Sequence, residues 1–109
     1  KARMPVGISA PRAGGPDELQ RISGVGTKNE QILHSLGFYH FDQIAQWSDE
    51  QVEWVDGYLR FNGRIRRENW VEQCRLLAAG DEAEFARLYG TGGMVDASGT
   101  TQSGEKTRR

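Results

Sequence analysis

Cysteine is nearly missing from this 109-residue chain: Cys74 stands alone, so no internal disulfide can staple the fold. With only two histidines, His34 and His40, that one thiol cannot by itself complete a structural zinc or iron–sulfur site, and no metal or cofactor is expected. A reducing compartment is the simplest expectation. Cys74 lies on an apolar helical face near Trp70 and Leu77, the setting of a buried, inert thiol. Long apolar runs are lacking too. Nothing approaches a membrane span, and no basic region followed by an apolar one marks a secretory signal. No phosphate-binding Walker loop or G-x-G-x-x-G fingerprint occurs. The first residue is Lys rather than Met, so a processed chain or a fragment is expected.

Neither sign of charge dominates the whole: fourteen basic and fifteen acidic residues give a net −1. The distribution, however, is uneven. Residues 1–15 carry Lys1, Arg3 and Arg12; residues 16–90 carry eight basic and thirteen acidic side chains, a net −5; residues 91–109 are at +1. An acidic body repels a polyanion unless its basic residues cluster, so general nucleic-acid affinity is disfavoured and any such binding is salt-sensitive. With 37% apolar and 27% charged residues, the composition is that of one globular domain with a disordered fringe.

The most informative run is Arg21-Ile22-Ser23-Gly24-Val25-Gly26-Thr27-Lys28-Asn29-Glu30, a Gly-apolar-Gly turn between two amphipathic segments: a helix-hairpin-helix. Leu19 and Ile22 share one face upstream, and Ile32, Leu33 and Leu36 one face downstream. Gly24 and Gly26 can take positive φ, and Thr27 with Glu30 fits a capping box that opens the second helix. Unpaired amides of the turn, with Lys28 beside them, can hold a phosphate oxygen without reading sequence. Alternatively, the glycines only let two helices pack closely. Glu30 is expected to set negative charge where phosphate would lie, against the first alternative.

The rest of the body is helical in short pieces, and no strand is expected. The spacing predicts helices over Asp17–Ile22, Lys28–Leu36 closed by Gly37, Phe41–Gln46, a helix from the Ser48/Gln51 capping box to Leu59, Arg66–Ala79 closed by Gly80, and Glu82–Tyr89 between Asp81 and Gly90. The expected fold class is therefore all-α: a small domain of five to six short helices over residues 16–90. An extended arm, 1–15, and a flexible Gly/Ser/Thr-rich tail, 91–109, flank it. Phe38, Phe41, Trp47, Trp54, Trp70, Phe85, Ile32, Leu36, Ile44, Val55, Ile65 and Leu76 are enough for one small core. Three Trp in so small a domain are expected to be all core or half-core; the alternative is that one is exposed as a partner contact.

Catalysis has little to build on. His34, Tyr39, His40 and Asp42 sit together, but no Ser or Cys nucleophile joins them in an elbow motif. Asp49, Glu50, Glu53 and Asp56 look like a solvated helix face rather than a two-metal site. Arg60, Arg64, Arg66 and Arg67 form the one basic cluster; they can meet a phosphate or an acidic partner surface, or simply pair with Glu68 and its neighbours.

The blocks LGFYHFDQIAQW and FNGRIRRENW, with the glycine turn before them, resemble the helix-hairpin-helix domain appended to the C-terminus of the two-iron two-sulfur protein of alphaproteobacterial NADH:quinone oxidoreductase. They are also similar to the extension of some bacterial ribosomal L21 proteins. The resemblance implies a non-catalytic accessory subunit or appended domain of the peripheral arm of respiratory complex I, aiding assembly or stability. Its partners would be protein subunits, and its location the bacterial cytoplasmic face of the inner membrane or the mitochondrial matrix side. It implies no electron transfer, because the thioredoxin-like domain and cysteine ligands of that iron–sulfur protein are absent. The contrasting expectation is a nucleic-acid-binding module, ribosomal or DNA-associated, working through Gly24, Val25, Gly26, Thr27 and Lys28.

Overall fold

A computed structural model describes residues 1–108; Arg109, counted above in the basic tail, lies outside the described residues. Among these the architecture is all-helical. A 3₁₀ turn at Leu19–Arg21 leads into α1 (Thr27–Ser35), α2 (Phe41–Ala45), α3 (Asp49–Leu59), α4 (Arg64–Arg67), α5 (Trp70–Ala79) and α6 (Glu82–Tyr89). The α2–α5 pairing is the principal helix contact, with α6 laid against α5. Leu19, Ile22, Leu33, Phe38, Ile44, Val55, Ile65, Trp70, Cys74 and Phe85 are sealed in one core. Trp54, Leu36 and Leu76 only partly join it; with Trp47 and Trp70 buried and Trp54 half-buried, all three tryptophans are core or half-core. Burial pushes the Cys74 thiol well above its ordinary pKa, as expected of an inert core cysteine.

Local chemistry accounts for most boundaries. Ser48 and Gln51 cap α3 reciprocally: the Ser48 N–H donates to Gln51 Oε1 at 2.9 Å, and the Gln51 N–H to Ser48 Oγ at 3.2 Å. The first helix is shorter than expected. Ile22 is already extended, and only one 3₁₀ turn forms, because so brief a segment has too few bonds to offset nucleation. The expected Arg66–Ala79 helix begins earlier and is cut in two: Asn69 takes a left-handed φ of 56° between α4 and α5. Asp56, buried on α3, accepts from the Gly63 and Ile65 amides (3.0 Å to Ile65) and so starts α4 where no hydroxyl cap precedes it.

Both ends lie against the body rather than leaving it. In the arm, the Ile8 N–H donates to Gly37 O at 2.9 Å, the Arg12 N–H to His40 Nε2 at 3.0 Å, and Arg12 pairs with Asp42 at 3.0 Å. A Cβ on Gly7 would run into Leu36 O, so glycine is what lets the two backbones meet there. At the other end, the amides of Gly93, Glu105 and Lys106 donate to Arg21 O, Arg87 O and Leu88 O. Lys106 Nζ reaches Glu72 at 2.7 Å. These segments are held by backbone bonds and ion pairs, which an apolar-content argument does not detect.

Candidate functional site

The hairpin turn is fastened from behind. Val25, 2% exposed, anchors it in the core, and its N–H donates to Ile22 O at 3.0 Å. Gln73, fully buried on α5, accepts from the Ser23 N–H at 2.8 Å and donates to Ser23 O at 3.2 Å and to Glu68 O at 2.8 Å. Arg64 Nη2 donates to Gly24 O at 3.0 Å, while its Nε faces Glu68 at 3.1 Å and its guanidinium sits 4.5 Å from the Phe61 ring centre. Glu68 in turn accepts from the Trp70 indole N–H at 3.0 Å. The carbonyls of Ile22, Ser23 and Gly24 are therefore all occupied.

The amides are not. Gly26 is the N-cap of α1 and supplies no side chain. Among the described residues, the N–H groups of Thr27, Lys28 and Asn29 have no hydrogen-bond partner, and Gly26, Thr27 and Lys28 are exposed. A row of free amides at the positive end of a helix dipole, with an ammonium beside it, favours an anion.

Three expectations for the turn change in detail. Gly24 does hold positive φ, +106°, but Gly26 is at −97°, in a region open to any residue. Thr27 is the first helical residue, so it makes no capping box with Glu30. Nor does the Glu30 carboxylate face the amides: it turns back over the 3₁₀ turn, accepting from the Leu19 N–H at 3.2 Å and from Gln20 Nε2 at 2.9 Å. Its charge is spent on capping.

The arginine cluster is divided. Arg64 belongs to the turn; Arg66 pairs with Asp49 at 3.3 Å; Arg67 donates to Asn62 O at 2.6 Å; Arg60 caps α3 in a left-handed conformation, exposed. His34 lies tilted against Tyr39 with ring centres 4.9 Å apart, while His40 and Asp42 hold the N-terminal arm. No three His, Cys, Asp or Glu side chains converge as a metal site among the described residues, and no helix there is long and apolar enough to cross a membrane. Gln73 and Asn29, whose Nδ2 donates to Gly24 O at 3.4 Å, escaped sequence reasoning, and Glu68, expected as an arginine partner and found paired with Arg64, was not foreseen as the acceptor for Trp70. Gln73 left one signal: it is the polar member of the otherwise apolar stripe Trp70, Cys74, Leu77.

This fold and turn define a helix-hairpin-helix module. Residues 19–78 match the family described as the RS2/RL21/YNQ2 HHH domain, and the chain belongs to that family. It is 47% identical over 75 residues to the large ribosomal subunit protein bL21 of Jannaschia sp. (strain CCS1), covering 69% of this chain and 29% of that protein. It is 46% identical over 68 residues to the small ribosomal subunit protein uS2 of Methylobacterium nodulans, covering 62% of this chain and 19% of that protein. With bL21 of Roseobacter denitrificans the identity is 46% over 68 residues, 62% of this chain and 32% of the relative. The chain thus spans about a fifth to a third of the length of these relatives. No solved structure matches. These relatives overturn the expectation of a respiratory accessory subunit: the proteins found to share the domain are ribosomal bL21 and uS2, and the complex I assignment falls, with its electron-transport setting and membrane-side location.

Proposed function

We propose that this chain is a non-catalytic helix-hairpin-helix module that grips an RNA backbone within a ribosomal protein or a ribosome-associated assembly. The observation that carries this is the row of unpartnered Thr27, Lys28 and Asn29 amides at the start of α1, beside exposed Lys28 and freed from the Glu30 charge. The ribosomal relatives supply the setting. In this arrangement Gly24 makes the turn, Val25 anchors it and Gly26 leaves the approach open. Thr27 and Lys28 meet the phosphate, with Arg64 holding the loop from inside. Arg60 is the member of the arginine cluster best placed to meet a partner. The body, 16–90, carries the site, and the arms 1–15 and 91–109 extend the surface offered to neighbours. Because that body is at −5, the module positions RNA more than it supplies affinity.

The test is fluorescence anisotropy with a labelled ribosomal RNA duplex at about 50 and about 150 mM salt. Binding is expected at the lower salt and largely lost at the higher. Lys28→Glu should weaken it severalfold, and Lys28→Ala should lower the salt slope by about one contact, both with unchanged helicity. Absence of binding at low salt, or indifference to both variants, overturns the proposal.

A further inference from the structure

The two sides of α3 have opposite characters. Val52, Val55 and Asp56 face the core, and helical spacing collects Glu50, Glu53, Trp54, Gly57 and Tyr58 on the outward arc. Trp54 and Tyr58, four residues apart, lie nearly parallel, with ring centres 5.2 Å apart and planes at 14°. Tyr58 is 54% exposed. The result is a flat aromatic surface on the outside of the molecule.

Beside it the helix is bare. Gly57 sits in the third turn of α3 with no positive φ, and a Cβ there would meet nothing within 4 Å. Nothing among the described residues requires glycine at this position, although glycine weakens an exposed helix. What its missing side chain provides is access along the ring pair.

Charge selects the occupant. Of the four carboxylates on α3, Asp49 pairs with Arg66 at 3.3 Å and Asp56 is consumed by the Gly63 and Ile65 amides. Glu50 and Glu53 are exposed and form no ion pair among the described residues, even though the Arg3 N–H reaches Glu50 O at 3.0 Å. The helix contains no Lys or Arg. Two free carboxylates repel a nucleic-acid backbone and attract a cation, and a flat ring pair takes a planar guanidinium better than an ammonium.

We propose that the outward face of α3, Glu50, Glu53, Trp54, Gly57 and Tyr58, docks an arginine-rich segment of a partner protein. The experiment titrates the full chain with octa-arginine, octa-lysine and octa-uridylate, followed by ¹⁵N-resolved NMR. Octa-arginine should shift the Trp54 indole and the Gly57 and Tyr58 amides, and bind about fivefold tighter than octa-lysine. Tyr58→Ser, Gly57→Gln and the pair Glu50→Gln/Glu53→Gln, all at exposed positions, should each weaken octa-arginine by about threefold to tenfold with helicity intact. Octa-arginine shifts that avoid α3, or affinity unchanged in all three variants, overturn the proposal. So does octa-uridylate acting on Trp54, Gly57 and Tyr58 in its place, which would make this a nucleic-acid face.

Discussion

Replacing Gly24 with Ala tests the hairpin directly. The residue holds φ +106°, where an L side chain costs about 1–3 kcal/mol. A Cβ there would also overlap Glu68 Oε1 and fall 2.9 Å from Trp70 Nε1. Glu68 is partly exposed and can swing away, whereas Trp70, fully buried, cannot. The clash with Glu68 therefore resolves by loss of the Trp70–Glu68 hydrogen bond, worth about 1.5–3 kcal/mol with a charged acceptor, while the close approach to Trp70 is relieved by a small shift of the turn backbone. Some of this is recovered by hydration of the released carboxylate, so the expected net destabilisation is about 2–4 kcal/mol. For a domain of this size that lowers Tm by about 10–25 °C. Gly26→Ala is the internal control: its φ is −97° and its surroundings are open, so it should cost less than about 1 kcal/mol. Thermal and urea melts of both variants decide the matter. A Gly24→Ala protein within about 0.5 kcal/mol of the parent, or equal losses at the two positions, would refute the reasoning.

Gly57→Ala should do the reverse, raising stability by about 0.5–1 kcal/mol in the same melts, since the helix gains propensity and nothing is displaced. Gln73→Leu should cost about 2–4 kcal/mol, because it strands the Ser23 N–H and O and the Glu68 O in the interior; amide exchange at Ser23 should quicken with it. Acid should loosen the loop around Asp96. The Ser98 hydroxyl and the Ser98 and Thr100 amides donate to its carboxylate and hold its pKa down to about 2. That support is complete above the ordinary aspartate range of about 4 and disappears as pH falls through about 2. A carboxyl ¹³C titration centred near 4 would contradict it, and Asp96→Asn should abolish the transition.

How much the sequence disclosed depended on how local the cause was. The Ser48/Gln51 cap and the Gly37 and Gly80 stops are written within a few neighbouring residues, and helices end where those residues say; of the expected α1 stripe Ile32, Leu33 and Leu36, only Leu33 is buried. The Thr27–Glu30 pattern had an equally good local reading, yet Glu30 is taken by the Leu19 amide eleven positions earlier. Likewise Arg66–Ala79 is continuous by propensity, but Asp56, nine residues before Ile65, starts α4 early, and Asn69 turns the chain so that Gln73 reaches Ser23. The glycines of the two ends read as flexibility; Gly7 instead marks a place where backbones touch. At the candidate site the free amides were foreseeable from the turn. Their freedom from Glu30 was not, and the split of Arg64 from Arg66 needed the fold.

The locks on the hairpin lie far downstream of it: Arg64 is forty residues beyond Gly24, and Gln73 fifty beyond Ser23. The turn therefore cannot take its final shape as the chain first emerges during synthesis. It must wait until α4 and α5 have been made and have swung back, a loop closure that only the nearly complete domain achieves. A chain stalled before Trp70 would carry the whole glycine motif and still present no ordered row of amides. On the proposed reading, competence to bind would report completion: a grip on RNA could close only after the part of the chain that tightens it exists.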